Sequence, residues 1–196
     1  MVTLKLKTPI DEKEVRKIKV EDILYISGTA ITGRDEAHIR ALEFLEHGKK
    51  MPLDFKGLVL YHCGPLVKKG DGEWSVVAAG PTTSMRMESL EAQFIEKFRP
   101  SVIVGKGGMG KKTAEAAKKF GAVYCDFTGG AAVLAANAIE EVLGVEWLDL
   151  GMPEALWVLK IREFGPLVVT IDSNGNNFHD DLTREIEAKK TELLNA

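Results

Sequence analysis

The sequence predicts a compact α/β domain of mixed sheet layers with helices, and three observations predict it. Its 196 residues, 45% hydrophobic and 28% charged, suffice for one sizeable core. The second half alternates strand-like and helix-like segments, the pattern of parallel strands joined by helical crossovers. The first half carries β-branched and period-two runs closed by glycine turns, which reads as mixed or antiparallel. No linker or repeat interrupts the chain, so residues 1–196 are expected to form a single domain.

Val2, Leu4 and Leu6 alternate with Thr3, Lys5 and Lys7, as in a half-buried edge strand. Residues 23–32 (ILYISGTAIT) predict a more buried strand running into a Gly-Arg-Asp turn. A helix should follow, with Asp35 as N-cap, Ile39, Leu42 and Leu45 at helical spacing, and His47-Gly48 as its stop. Gly57 to Tyr61 reads as a strand closed by Gly64-Pro65, and residues 74–79 (WSVVAA) as another ending at Gly80-Pro81. Met87 to Phe98 predicts a helix ended by Pro100. Strand and helix pairings are then expected at 101–104 with 110–120 and at 122–125 with 130–143, followed by a strand near 145–150. Two further strands (155–163 and 166–171), a turn at Ser173-Asn174-Gly175-Asn176 and a charged helix from about 180 to 194 complete the reading.

The formal net charge of -3 offers no basic field for nucleic acid. No apolar run approaches a membrane span, and the N-terminus lacks the apolar core of a signal peptide, so a cytoplasmic protein is expected. The two cysteines, Cys63 and Cys125, lie far apart without C-x-x-C spacing; two thiols do not make a disulfide framework, a zinc site or an iron-sulfur site.

Four polar, glycine-rich loops end predicted strands, where α/β folds commonly bind ligands. In the first, residues 28–38, Arg34 suits two-pronged recognition of a carboxylate, against the plainer alternative of a salt bridge to Asp35 or Glu36. In the second, His62 and Cys63 are weighed as acid-base or metal-binding groups and read instead as a histidine satisfied by a backbone partner and an inert thiol. In the third, Thr82, Thr83 and Ser84 precede a helix whose first turn holds Arg86; one hydroxyl should cap it, and the surplus suggests a pocket for a small anion. The fourth, Gly105 to Thr113, nearly matches the phosphate-binding pattern G-x-x-x-x-G-K-[ST]. Lys112 stands where the hydroxyl belongs, and Thr113 is turned about 100° away on a helix. An anion site made of backbone N–H groups and Lys106 does not need that hydroxyl.

Together GTAITGRDEAH (28–38), YHCGP (61–65), GPTTSMRM (80–87), GKGGM (105–109) and DLGMPEALWVLKIREFGPLVVTIDSNGN (149–176) resemble the C-terminal domain, or separate beta subunit, of class I fumarate hydratases and L(+)-tartrate dehydratases. The resemblance implies a mobile, swivelling β/β/α domain that closes over a four-iron four-sulfur cluster. Three cysteines of an alpha subunit would hold that cluster, in an assembly of two alpha and two beta chains. It implies that Arg34, Arg86 and Lys106 hold the carboxylates of a C4 dicarboxylate, and that Thr82 lies at the carbon that gains or loses a proton. Fumarate hydration to L-malate leads, with L(+)-tartrate dehydration as the alternative. A nucleotide-binding module at 105–113 and a partner domain without residues in the chemistry are readings of other classes. Three fixed cations suit a dianion whose carboxylate gains charge as the neighbouring carbon loses a proton. A threonine hydroxyl is a poor base without a carboxylate to take its proton, and that carboxylate would come from the partner chain.

Overall fold

The structure, a computed structural model, describes residues 1–70 and 72–194. Strands β1 (Thr3–Lys7), β2 (Ile23–Thr32), β3 (Val59–Tyr61), β6 (Val102–Gly105) and β7 (Val123–Asp126) run parallel in the order β1-β2-β3-β6-β7. Two later strands, β8 (Ile139–Glu146) and β9 (Leu156–Ile171), are antiparallel. A long β9 pairs β2 from Val158 to Val168 along one edge, and β7 and then β8 along the other. The β2–β9 ladder closes β2, β3, β6, β7 and β9 into a barrel. A hairpin of β4 (Leu66–Gly70) and β5 (Glu73–Ala78) lies beside it, with Trp74 edge-on to Trp157.

Strand periodicity sorts the apolar residues into two clusters. Leu24, Ile26, Val59, Tyr61, Val102, Val104, Val123, Cys125, Leu159 and Val169 fill the barrel. Residues of opposite parity, Ile31, Leu60, Ile103 and Tyr124, joined by Ile171 beyond a register shift between β7 and β9, face outward and meet three helices. These are α2 (Asp35–Glu46), α3 (Glu88–Phe98) and α4 (Lys111–Phe120), which bury Ala41, Phe94, Ile95 and Ala117 among others. Each lies in the segment between parallel strands and covers a face that would otherwise meet water. Short helices α1 (Glu12–Val15) and α5 (Ala132–Asn137) fill gaps, and α6 (Phe178–Leu194) buries no residue. Among the described residues no helix is long and apolar enough to cross a membrane.

Several expectations need correction. The parallel strands expected at 101–104 and 122–125 are present and the first half is mixed, but parallel strands span both halves and the last two strands of the large sheet are antiparallel. Residues 130–143 are not one helix: α5 stops at Asn137 and β8 begins at Ile139. An alanine-rich run has helical propensity, but the hydrogen-bonded ladder to β9 decides the conformation. The strands expected at 155–163 and 166–171 are one, because Gly165-Pro166 lies where β9 changes partner and bends without ending. Strand β4 forms in a segment to which the sequence reading assigns no element.

Candidate active site

Because β2, β3, β6 and β7 are parallel, the loops after them gather at one end of the barrel. Gly33-Arg34 follows β2, His62-Cys63-Gly64 follows β3, and Lys106 follows β6. The segment Pro81–Ser84 is threaded between the last two loops as a short extra rung. Thr82 N–H donates to the His62 carbonyl at 2.6 Å, Lys106 N–H to the Thr82 carbonyl at 3.3 Å, and Ser84 N–H to the Lys106 carbonyl at 3.0 Å. Arg34, Thr82, Arg86 and Lys106 therefore stand on connected backbone.

Arg34 is half-buried, with Nε 3.1 Å from Glu154 and 4.0 Å from Asp35. Its expected surface salt bridge is thus chiefly to Glu154, which the chain delivers just before β9. Arg86 grips the same Asp35 with two hydrogen bonds, Nε to Oδ1 at 3.0 Å and Nη2 to Oδ2 at 2.6 Å. Asp35 is therefore the first residue of α2 and the shared counter-ion of two arginines; it is not the expected N-cap. The glycine of YHCGP has a steric reason: a Cβ at Gly64 would lie 2.6 Å from Arg34 Nη1 and 2.8 Å from the Pro153 carbonyl.

Lys106 is also half-buried, beside Gly129, where a Cβ would lie 3.3 Å from its Cδ. Among the described residues no carboxylate lies within 4.0 Å of its ammonium. Such a lysine, at a mouth already holding two arginines, gives the site its positive character. Thr83 holds the N-cap position of a 3-10 turn at Ser84–Met87 that leads into α3, but against expectation no hydroxyl of 82–84 makes a capping hydrogen bond. Ser84 instead lies buried against His62 Nδ1 at 2.9 Å, while Thr82 remains half-buried.

The near-phosphate loop is occupied from within. Glu88 accepts from Gly110 N–H at 2.8 Å, Lys112 N–H at 3.0 Å, Thr113 N–H at 3.3 Å and the Thr113 hydroxyl at 2.6 Å. Asp126 accepts from Gly108 N–H at 3.1 Å. Four of the backbone N–H groups expected to cradle an anion with Lys106, those of Gly108, Gly110, Lys112 and Thr113, are thus taken by two carboxylates of the chain itself. A nucleotide phosphate would have to displace Glu88 and Asp126 to reach them.

Cys63 and Cys125 are buried, free thiols of the barrel interior. Burial pushes the Cys63 thiol up to about 12, although Arg34 pulls the other way, and raises Cys125 as well. Two inward thiols held in the neutral form do not fit an iron-sulfur cluster. His62 differs from expectation: its Nδ1 meets the Ser84 hydroxyl and not a backbone partner.

Sequence reasoning missed a cluster beneath these loops. His38 of α2, His62 and Glu91 of α3 are wholly buried, with Glu91 Oε2 3.2 Å from His38 Nε2 and 3.0 Å from His62 Nε2. Both are close contacts without hydrogen-bond alignment. Burial opposes the charge on Glu91, but the imidazoles win and hold its carboxyl down at about 2. Burial likewise opposes charge on His38, yet Glu91 and the Arg34 carbonyl raise it, whereas burial keeps His62 low. One signal was readable: Met87, Glu91, Phe94, Ile95 and Phe98 share one helical face, so a glutamate stands in an apolar stripe.

The model of a family described as the fumarase C-terminus matches residues 1–182. The chain is 48% identical over 172 residues to the L(+)-tartrate dehydratase subunit beta of Escherichia coli (strain K12), covering 88% of this chain and 84% of that one. It is 43% identical over 186 residues to the putative L(+)-tartrate dehydratase subunit beta of Methanocaldococcus jannaschii, covering 94% and 95%. With the putative fumarate hydratase class I of Geobacillus stearothermophilus it shares 44% over 180 residues, 91% of this chain but 34% of that protein.

Proposed function

The chain belongs to the fumarase C-terminus family, and from this premise we propose that it is the beta subunit of a hydro-lyase that reversibly hydrates fumarate to L-malate. The observation that carries the reading is the half-buried Lys106, without a carboxylate partner among the described residues, on backbone joined to Thr82, at a barrel mouth where Arg34 and Arg86 share Asp35. A C4 dicarboxylate supplies the missing negative charge. One carboxylate pairs with Lys106, and the arginines, only partly engaged by Asp35 and Glu154, take the other. These charges act most where carboxylate charge grows during proton loss, and Thr82, whose backbone joins His62 and Lys106, serves as the proton-handling group.

The iron-sulfur cluster belongs, in this reading, to a partner alpha subunit, because the two thiols of this chain face the barrel interior. The wide stretch of the Geobacillus relative outside its match supports a partner of that kind. Residues 1–196 act as one cytoplasmic unit of the swivelling type that closes over the partner's cluster, in an assembly of two alpha and two beta chains. L(+)-tartrate dehydration is the second reading, favoured by relatives of this chain's length that carry that name.

Anaerobic assembly with the alpha chain tests the proposal. The isolated chain should be colourless, iron-free and inactive, and the assembly brown and active, with kcat/KM for fumarate above that for tartrate. The reverse ratio selects the second reading, and robust hydration of fumarate by the isolated chain would remove the two-subunit reading.

A further inference from the structure

The hydrogen-bonding duties of the buried cluster define its protonation. His38 Nδ1 lies 2.7 Å from the Arg34 carbonyl, which can only accept, so Nδ1 carries a proton. Its Nε2 faces the Glu91 carboxylate, and a bare lone pair there would set two acceptors against each other away from solvent. His38 is therefore protonated on both nitrogens. His62 has a more flexible partner, because the Ser84 hydroxyl can donate to its Nδ1 and leave a proton on Nε2 toward Glu91. One carboxylate, one imidazolium and one neutral imidazole balance to zero charge in a fully buried place.

The far ends of this arrangement reach each loop of the site. His38 holds the Arg34 carbonyl. His62 holds Ser84, which sits between Thr82 and Arg86 and donates its N–H to the Lys106 carbonyl. Gly105 makes that approach possible, since a Cβ there would lie 1.8 Å from Ser84 Oγ and 3.2 Å from His62 Nδ1. Phe94 packs on His38 with ring centroids 4.6 Å apart, and Asp35 is the next carboxylate acting on both imidazoles.

We propose that Glu91 is a positioning residue whose carboxylate, acting through His38 and His62, fixes the loops of Arg34, Thr82–Arg86 and Lys106 relative to one another and thereby sets recognition of the dicarboxylate. The inference rests on reading those loops as the substrate site. Glu91 touches no substrate. Its substitution by glutamine keeps the shape, removes the charge that holds His38 protonated, and releases the two imidazoles.

Three measurements on the full chain and its assembly test this. Nitrogen-15 spectra of the chain at neutral pH should show His38 doubly protonated and His62 singly protonated, with the His38 state lost in Glu91→Gln. Hydrogen exchange in Glu91→Gln should quicken by about tenfold or more at residues 33–35, 82–86 and 105–108 while Val104 and Cys125 keep their protection. The assembled variant should show a KM raised by roughly tenfold to a hundredfold and a smaller change in kcat. If Glu91→Gln does not fold, Ser84→Ala removes the His62 arm alone and should loosen 82–86 and 105–108 but not 33–35. Uniform loss of protection across the barrel, unchanged protection in the loops, or a metal ion retained stoichiometrically by the cluster would each overturn the positioning role. Loops that loosen together in an assembly whose wild type converts neither fumarate nor tartrate would overturn the substrate reading and leave the positioning role standing.

Discussion

Removing the Glu88 carboxylate is the sharpest test of how the glycine loop after β6 is held. Glu88 accepts three backbone N–H groups at the start of α4 and one hydroxyl, the shortest contact being 2.6 Å to Thr113. Hydrogen bonds to a charged group contribute roughly 1.5–3 kcal/mol each when water cannot replace them, and a lost helix cap costs about 0.5–2 kcal/mol. Glu88 is half-buried, so water recovers part of the loss and the contributions do not add. Glu88→Ala should therefore cost about 2–3 kcal/mol, and Glu88→Gln, which keeps one acceptor oxygen without charge, about half of that. Urea unfolding of the full chain gives these values, and a double-mutant cycle with Thr113→Val isolates the 2.6 Å bond. The vacated N–H groups should then attract sulfate or phosphate, so either anion should restore stability to Glu88→Ala and leave the wild type unchanged. A cost below about 0.5 kcal/mol, the range of ordinary surface substitutions, would refute the claim that Glu88 occupies this helix start.

In the assembled enzyme Arg34→Ala, Arg86→Ala and Lys106→Ala should each cost about 2–5 kcal/mol in kcat/KM while the chain stays folded; near-normal kinetics for all three would return them to the surface. Thr82→Ser should keep measurable activity and Thr82→Val should lower kcat by roughly 10²- to 10⁴-fold with little change in Tm, since the Thr82 hydroxyl caps nothing. A Tm loss with normal kcat would take Thr82 out of the chemistry. Stability should fall on both sides of neutrality. Glu91, held at about 2 against 4.5, contributes above pH 4.5 and loses that contribution as pH falls toward 2. His62, depressed below 6.5, adds to the acid loss, whereas the raised His38 contributes fully below 6.5 and loses its part as pH climbs through its elevated folded value. Thermal midpoints across pH for wild type and Glu91→Gln check this, and superimposable profiles would contradict it.

Elements with a strong local signal were legible. Strand β2 was expected at 23–32 and lies at Ile23–Thr32, and the helix expected from Met87 to Phe98 lies at Glu88–Phe98 after its 3-10 turn. What failed was set by distant partners. Nothing local in AAVLAANAIEEVL announces that β9 will turn its second half into a strand. Loop motifs located Arg34, Arg86, Lys106 and Thr82, but not what surrounds them. That Asp35 serves two arginines, that Glu88 fills the glycine loop, or that Glu91 joins two histidines depends on helices meeting across the outer face of the sheet. Glycine positions were the more informative local signal, since Gly64 and Gly105 each mark a close approach at the site.

The place of β9 has a consequence for how the chain comes into being. Until residues 156–171 are made, β2 and β7 each present an unpaired edge, and the apolar interior lined by Leu24, Val104 and Cys125 has no wall on that side. A nascent chain leaving the ribosome therefore holds its parallel strands and crossover helices in waiting, exposed to chaperones and to each other. The last long strand then zips into both edges at once.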